Sequence, residues 1–247
     1  MTDPRTSSEA ISSASAAYEQ MRHVSAETPC PYLPGRMSRA EAYRIDRLEP
    51  EAYERLLSRN FRRSGQVVYR PKCRGCHECR QLRVPVETFA PTRSLRRVLR
   101  QNDDVRMTVA PPVPSQQKFD LFRAYLESQH DDTMARTYEA FAEFLYATPT
   151  LTLEFQYLLG DRLVGVSIAD VVPNGLSSVY MYFEPAERHR SLGSLSVLRE
   201  IEHCRTNGLS YYYLGFHVAQ SKTMAYKARF GPHEILVGED RWLRLHG

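Results

Sequence analysis

The sequence lacks any long uninterrupted run of apolar residues. A membrane-spanning helix needs about 20 predominantly apolar residues in succession, and no stretch of the 247 residues approaches that length. The first 20 residues are rich in Ser, Ala and acidic side chains, and they contain no apolar segment of the kind that a secretory signal requires. We therefore expect a cytoplasmic protein with no membrane partner.

Cysteine is scarce, with five residues in all, and three of the five are clustered. Cys73, Cys76 and Cys79 are too close together in sequence to form the disulfide framework of a secreted protein. Cys30 could add a fourth thiol, and four thiolates suit tetrahedral Zn²⁺ or an iron–sulfur cluster. The alternative is that these thiols stay reduced and pack a loop-rich domain. Cys204 is interpreted as a small buried residue.

Acidic residues are few in one segment of the chain. Residues 59–106 contain thirteen basic and four acidic side chains, a net charge of +9, whereas the whole chain carries +4. Twelve of the thirteen are Arg, whose guanidinium group can bind two phosphate oxygens at once. The segment indicates a polyanionic partner, and the alternative is a solvated basic surface.

The pattern of turns and apolar residues predicts three regions. Residues 1–25 are polar and without period, and we expect them to be poorly ordered. Residues 26–109 would form a basic, cysteine-containing N-terminal domain, and the prolines of residues 110–114 would separate it from a second domain at 110–247. In the first domain the sequence predicts helical structure at 38–58 interrupted at Pro50, strands at 66–70 and 82–86, and a helix at 94–102.

The second domain has the more regular pattern. Helices are predicted at 116–129 and 137–147, followed by three strands at 151–159, 163–172 and 176–183. Turns at Gly160-Asp161 and Asn174-Gly175 would join the strands into an antiparallel meander. A helix at 191–207, a strand at 211–216, a short helix at 223–229 and a strand at 234–237 complete it. This order is similar to that of GNAT-type acyltransferases, so we expect an α+β fold with a mixed sheet flanked by helices.

The loop before the predicted helix at 191–207 is a candidate anion site. Backbone N–H groups at a helix start are unpaired and carry partial positive charge. Arg190 and Gly193 fit the spacing of the pyrophosphate loop of GNAT enzymes, but Leu195 stands where that loop has a small residue. We interpret Leu195 as unfavourable to coenzyme A and compatible with another phosphate-bearing acyl donor. The alternative is an ordinary helix start with Ser191 as its N-cap.

Several short motifs, in one order along the chain, resemble a known family. They include Cys-Pro-Tyr-Leu-Pro-Gly-Arg at 30–36, Phe-Arg-Arg-Ser-Gly at 61–65 and Tyr-Arg-Pro-Lys-Cys-Arg-Gly-Cys-His-Glu-Cys at 69–79, with others at 83–86, 191–193, 213–216 and 224–230. Together they resemble the arginyltransferase-like aminoacyl-tRNA–protein transferases, most closely the bacterial aspartate/glutamate leucyltransferases. Two departures are Glu184 before Pro185, where the family commonly has Asp, and His217 after Phe216, where it often has a second aromatic residue.

The resemblance implies a reaction and its partners. Members transfer an amino acid, leucine in the bacterial branch, from its tRNA ester to the α-amine of a protein that begins with Asp or Glu, which marks that protein for degradation through the N-degron pathway. No ATP or other cofactor is needed for transfer because the ester is already activated. The aminoacyl-tRNA 3′ end would bind at the helix start, at Arg190, Ser191, Leu192, Gly193 and Ser194.

The chemistry of ester aminolysis suggests the remaining site residues. Tyr180 and Glu184 lie on one face of a predicted strand, and we expect them to orient the attacking amine and handle its proton, unless Tyr180 is core and Glu184 is solvated. An acidic acceptor side chain requires a cation. Lys227 and Arg229 are the first candidates, with Arg70 and Lys72 as alternatives from the N-terminal domain, and an ordinary surface role is open for each.

Other functions remain open at this point. An arginyl-tRNA–protein transferase would share the same motifs. A coenzyme A-dependent N-acetyltransferase with a basic appendage is opposed by Leu195, and a non-catalytic RNA-binding module would leave the meander, helix and strand unit unexplained.

Overall fold

The computed structural model describes residues 22–129 and 136–245. The poor order predicted for residues 1–25 falls largely outside these ranges, but it is wrong for residues 22–24. Arg22–Val24 forms a strand, β1, that pairs antiparallel with Glu41–Tyr43. Main-chain hydrogen bonding, rather than side-chain composition, fixes these residues.

The described residues form fourteen strands, five α-helices and two 3₁₀-helices. After β1, the strands are β2 Thr28–Pro29, β3 Met37–Ser38, β4 Ala40–Arg44, β5 Arg62–Ser64, β6 Val67–Pro71, β7 Arg80–Pro85, β8 Val105–Ala110, β9 Thr152–Leu159, β10 Arg162–Val172, β11 Gly175–Phe183, β12 Tyr211–His217, β13 His233–Gly238 and β14 Arg241–Leu245. The α-helices are α1 Pro50–Leu57, α2 Arg93–Gln101, α3 Gln116–Gln129, α4 Tyr138–Tyr146 and α5 Leu192–Thr206, and the 3₁₀-helices are Pro185–Arg190 and Ala225–Arg229.

An eight-stranded mixed sheet forms the centre of the fold, with the strand order β14-β13-β7-β12-β11-β10-β9-β8. The predicted meander is confirmed as β9, β10 and β11, which pair antiparallel in sequence order. Strands β11 and β12 are parallel, and the remaining neighbours are antiparallel. The expected α+β class, with a mixed sheet flanked by helices, is therefore confirmed.

The large sheet crosses the domain boundary that the sequence suggested at residue 110. Strand β8 pairs with β9 through registers such as Val105 opposite Leu159, and β7 lies between β12 and β13. Both strands come from the segment assigned to a separate N-terminal domain. The prolines of residues 110–114 end β8, because proline has no N–H group to donate to a neighbouring strand. They do not separate two sheets.

A second, four-stranded sheet has the order β1-β4-β6-β5. It corrects the predicted helix at 38–58, since Ala40–Arg44 is strand β4 and only Pro50–Leu57 is helical. Pairing of β4 with β1 and β6 overrides the helical preference of the local sequence. Pro50 begins α1 instead of interrupting it, because the first helical turn needs no N–H donor from proline.

Helices cover both faces of the large sheet. The core that contains Leu95 of α2 and Leu195 and Ile201 of α5 lies on one face, whereas Phe122 of α3 and Phe141 of α4 pack on the opposite one. None of the helices within residues 22–129 and 136–245 has the length and apolar content needed to cross a membrane.

A buried ion pair joins the two sheets. Arg63 of β5 donates from Nε and Nη2 to the two carboxylate oxygens of Asp170 on β10, both at 2.7 Å. Both side chains are completely buried, and the Thr152 hydroxyl donates to the same carboxylate at 2.7 Å. Because every oxygen of the carboxylate has a partner, the pair fixes the position of β5 and of its neighbour Arg62.

Candidate functional site

The site begins where two parallel strands part. Pairing of β11 with β12 runs from Gly175 opposite Tyr211 to Ser177 opposite Tyr213 and then stops, although both strands continue. Glycine is required at 175, since a Cβ there would lie 2.2 Å from the Tyr211 carbonyl oxygen. Gly175 was expected to belong to the hairpin turn, but it lies in close contact with the Tyr211 backbone. The turn itself consists of residues 173–174.

A cavity of about 750 Å³ opens beyond the last strand pair. Residues 178–181 of β11 and 214–216 of β12 line it, together with the start of α5. The register of β10 against β11 passes from Ile168–Tyr180 to Ala169–Ser178, so Val179 has no opposite residue on β10. Bulges of this kind re-aim the local backbone, and here the bulge faces the cavity.

Arg62 occupies the gap between the parted strands. Its Nη1 donates to Ser177 Oγ at 2.9 Å, and its Nη2 donates to the Ser178 carbonyl. The guanidinium group lies against Gly215, whose backbone has φ of +81°, and a Cβ at 215 would be 2.9 Å from Arg62 Cζ. Arg62 is buried, yet it forms no ion pair with any carboxylate in the part of the chain that the structure describes.

Lys227 brings a second buried cation to the cavity. Its side chain is 8% exposed, and its Nζ donates to the Phe216 carbonyl at 2.7 Å. Burial, with a further contribution from Arg62, lowers the pKa of Lys227 from 10.5 to about 7. No carboxylate of residues 22–129 or 136–245 forms an ion pair with it.

The start of α5 forms another wall of the cavity. Ser191, Gly193 and Ser194 line it, and Arg229 donates a hydrogen bond to Ser194 Oγ. Ser191 has a left-handed backbone with φ of 58°, and its side chain does not cap the helix. The Ser194 and Leu195 amides donate to the Ser191 carbonyl at 2.8 and 3.1 Å, which leaves the Leu192 and Gly193 amides as the groups of the first turn without a helical acceptor.

Leucines 192 and 195 do not face the cavity. Both side chains are completely buried in the core between α5 and the sheet. Leu195 was interpreted from the sequence as unfavourable to coenzyme A, but its side chain points away from the wall and therefore obstructs no ligand there. Leu192 can contribute only its backbone.

Arg190 is held by acidic neighbours. Its Nη1 donates to Asp104 and its Nε to Glu187, both at 2.9 Å. These contacts offset its charge, so Arg190 fixes the loop to the end of α2 rather than presenting a guanidinium to the cavity. Asn102 supports the same junction by donating to the Arg190 carbonyl at 2.9 Å. The end of α2, which belongs to the basic segment 59–106, therefore lies next to the loop that precedes Gly193.

Tyr180 and Glu184 have different surroundings. Tyr180 lines the cavity and packs edge-on against Phe122 and Phe144, with ring centroids 5.9 and 5.3 Å away. Glu184 lies outside the cavity wall and accepts from the Ala186 amide at 3.2 Å, which caps the 3₁₀-helix Pro185–Arg190. The structure thus brings Tyr180, Lys227 and Gly193 together and leaves Glu184 apart.

Arg70 and Lys72 line a different cavity, of about 530 Å³, beside Cys73, Cys76 and Cys79. Successive residues of a strand point to opposite faces, so Tyr69 lines the first cavity and Arg70 the second. Arg70 donates to Glu41 at 2.7 Å. The structure does not bring Arg70 or Lys72 to Lys227.

The four predicted thiols lie near one another but do not form a metal centre. Cys30, Cys73, Cys76 and Cys79 are half-buried and free. Burial, followed by the charges of the other three thiols, raises the pKa of Cys79 to about 12. Among the described residues, no group of three or more His, Cys, Asp or Glu side chains is arranged to hold a metal ion.

Arg62 is the site residue that sequence reasoning missed. The motif at 61–65 was recognised, but within a segment of twelve arginines nothing local distinguishes a buried guanidinium from an exposed one. Its position depends on Gly215, which is 153 residues away in the sequence.

Comparison with known proteins identifies the family. The N-terminal model of arginine-tRNA-protein transferases matches residues 28–97, and the C-terminal model matches residues 117–237. The chain belongs to this transferase family. It is thus an enzyme that transfers an aminoacyl group.

Individual relatives cover most of the chain. The aspartate/glutamate leucyltransferase of Halorhodospira halophila is 41% identical over 214 residues, which cover 85% of this chain and 91% of the relative. The protein of that name from Gluconacetobacter diazotrophicus is 40% identical, covering 88% and 85%. The crystal structure of FemX has a TM-score of 0.50 at 8% identity and covers 90% of this chain and 87% of its own, which shows a shared fold alone.

Proposed function

We propose that this transferase moves leucine from Leu-tRNA to the N-terminal α-amine of proteins that begin with Asp or Glu. The observation that carries the proposal is the cavity, in which two buried cations, Arg62 and Lys227, have no carboxylate partner among the described residues. A buried charge without a counter-ion is costly, and an acidic acceptor side chain would supply that counter-ion. The names of the relatives support the same acceptor.

The cavity lining favours leucine over arginine as the transferred residue. Its described lining contains no Asp or Glu, so an arginyl group would find no carboxylate for its guanidinium. Met181, Phe183, Val197 and Leu214 contribute apolar surface, which suits an aliphatic side chain.

The start of α5 is the proposed site of the tRNA 3′ end, in a GNAT-type arrangement. Gly193 leaves the backbone accessible, since a Cβ there would have only one neighbour within 4 Å, a Phe183 ring atom at 3.9 Å. The Leu192 and Gly193 amides and Arg229, held at Ser194, would face the terminal phosphate and ribose. Arg190 contributes by fixing the loop.

The reaction itself requires positioning more than strong acid–base catalysis. The α-amine has a pKa of roughly 7.7–8.0, so part of it is neutral near pH 7. Its nitrogen attacks the ester carbonyl, a C–N bond forms, the C–O bond to the ribose breaks, and the ribose oxygen receives the proton that the amine loses. We propose that Tyr180, which lines the cavity, orients the amine, and that backbone N–H groups at the Val179 bulge donate to the oxyanion.

The proposed reaction has two products. Deacylated tRNA leaves, and the acceptor carries one additional N-terminal leucine, which we propose marks it for N-degron degradation. The activated ester supplies the free energy, so no ATP or other cofactor enters the scheme.

Incubation with defined substrates tests the proposal. Peptides that begin with Asp, Glu, Asn, Gln, Lys or Arg are combined with separately charged Leu-, Phe- and Arg-tRNA, and products are identified by mass spectrometry. Leucine on the Asp and Glu peptides is expected, and the isosteric Asn and Gln peptides are the matched controls. Arginine as the preferred donor, or transfer to Lys and Arg peptides, would refute it.

A further inference from the structure

One face of α2 consists entirely of arginines. Arg93, Arg96, Arg97 and Arg100 follow the i, i+3, i+4, i+7 spacing that places side chains on a single helix face, and all four are exposed. Leu95 on the opposite side is buried in the core, with Val98 and Leu99 packed against it. We call these four residues the arginine face.

The arginine face is unfavourable for the helix that carries it. Like charges three and four residues apart repel one another, and Arg93 stands in the first turn, where the helix dipole disfavours a cation. The first turn contains no acidic residue. None of the four arginines has an ion pair with a carboxylate in residues 22–129 or 136–245. Local violations of this kind are characteristic of binding surfaces.

The position of α2 relates the arginine face to the cavity. The end of α2 is joined to the loop before α5, because Gln101 Nε2 donates to the His189 carbonyl at 3.0 Å and Asn102 Nδ2 to the Arg190 carbonyl at 2.9 Å. Arg188 and His189 in that loop are exposed. The last turn of α2 is therefore joined to the loop that leads to the cavity wall at Gly193, and Arg188 is an exposed cation on that loop.

We propose that the arginine face binds the phosphate backbone of the double-helical acceptor stem of tRNA, so that the single-stranded 3′ end reaches the cavity over residues 188–191. This inference rests on the proposed function. Double-stranded RNA is recognised by backbone contacts rather than base edges. The face is about 10 Å long, a length of duplex that carries on the order of six phosphate charges.

The test compares binding of three RNA probes by the full chain and by the variant Arg93→Gln/Arg96→Gln/Arg97→Gln/Arg100→Gln. The probes are uncharged tRNA, an acceptor-stem minihelix with its single-stranded 3′ end, and the 3′ oligonucleotide alone. The Kd for tRNA and minihelix is expected to rise about tenfold or more near 0.1 M salt, with a salt slope smaller by about 3. The oligonucleotide is expected to change much less.

The matched control removes four exposed arginines elsewhere, through Arg47→Gln/Arg55→Gln/Arg123→Gln/Arg241→Gln. Thermal melting checks the fold, and the variant Arg93→Gln/Arg97→Gln repeats the test should the fourfold variant melt early. The inference would be overturned if the control variant lost as much tRNA affinity as the arginine-face variant, or if the arginine-face variant lost as much affinity for the oligonucleotide as for tRNA. It would also be overturned if the arginine-face variant bound tRNA like the wild type but no longer bound anionic phospholipid vesicles. Minihelix binding that depends on the face, in a protein that transfers no leucine, would support the inference and refute the proposed function.

Discussion

The guanidinium group of Arg62 packs directly against the backbone of Gly215, where no side chain larger than hydrogen fits without displacing it. The contact holds the gap between β11 and β12 open and aims a buried cation at the cavity. Arg62 of β5 and Gly215 of β12, which are 153 residues apart in the sequence, thereby belong to one site.

Gly215→Ala is expected to displace Arg62 and to weaken acceptor binding. A charge-assisted hydrogen bond contributes about 1.5–3 kcal/mol, so the KM for an Asp-initiated peptide should rise about tenfold or more. Gly160→Ala is the matched control, because residue 160 also has positive φ (+59°) but nothing lies within 4 Å of a Cβ there. Equal KM values in the two variants would show that backbone strain alone, and not Arg62, is responsible.

Affinity for an acidic acceptor is expected to depend on the protonation of Lys227. Its pKa is lowered to about 7 by burial, so the ammonium form is present below pH 7 and is lost above it. The Kd of an Asp peptide should rise with pH through this region, after correction with an Asn peptide for titration of the α-amine. Calorimetry on Lys227→Arg should show the rise abolished, because arginine stays charged. A pH profile unchanged in Lys227→Arg would contradict this role.

Because of Glu200, the free energy of unfolding is expected to be lower at neutral pH than at pH 4.5. It is completely buried and accepts from the hydroxyl groups of Tyr157 at 3.0 Å and Tyr212 at 2.7 Å. Burial raises the pKa of Glu200 from 4.5 to about 7. A raised carboxyl pKa means that stability is lost as pH rises from about 4.5 to 7, by up to about 3 kcal/mol. Denaturant unfolding at pH 4.5 to 8 should show this loss in wild type relative to Glu200→Gln, and parallel profiles would contradict it.

The ion pair between Arg63 and Asp170 is expected to be essential for folding stability. Asp170→Asn leaves the buried guanidinium without its counter-ion, which should lower the free energy of unfolding by about 3–5 kcal/mol. Glu49→Gln removes the exposed pair with Arg47 and should cost less than about 1 kcal/mol. Denaturant titration of the two variants measures the contrast, and similar losses would refute the assignment.

Local sequence signals predicted the parts of the fold that form locally. The meander and helix α5 follow from hydrophobic spacing and turn residues, and α3 matches its predicted bounds of 116–129. Strand β4 did not follow, because its pairing with β1 and β6 outweighs helical propensity. The insertion of β7 between β12 and β13 involves partners more than 120 residues away, which no local pattern encodes.

The site was predictable to the same extent. Gly193 and Ser194 were predicted because a helix start has a sequence signature, and Lys227 because a GNAT-like order puts it near the open end of the sheet; all three line the cavity. Glu184 is a helix cap, and Arg70 lies on the opposite face of its strand from Tyr69. The alternation of side chains along a strand and the geometry of the helix cap decide where these side chains point. Neither can be assigned without the strand register, which only the structure provides.

The central claim is that the buried cations recognise the acidic side chain of the acceptor. The most direct measurement is the ratio of kcat/KM for an Asp peptide to that for the isosteric Asn peptide, with Leu-tRNA as donor, in wild type and in Lys227→Gln. We expect a ratio of at least about ten in wild type that falls markedly in the variant, whose activity on the Asn peptide is retained to a greater degree. Equal use of Asp and Asn peptides by the wild-type enzyme would contradict the claim.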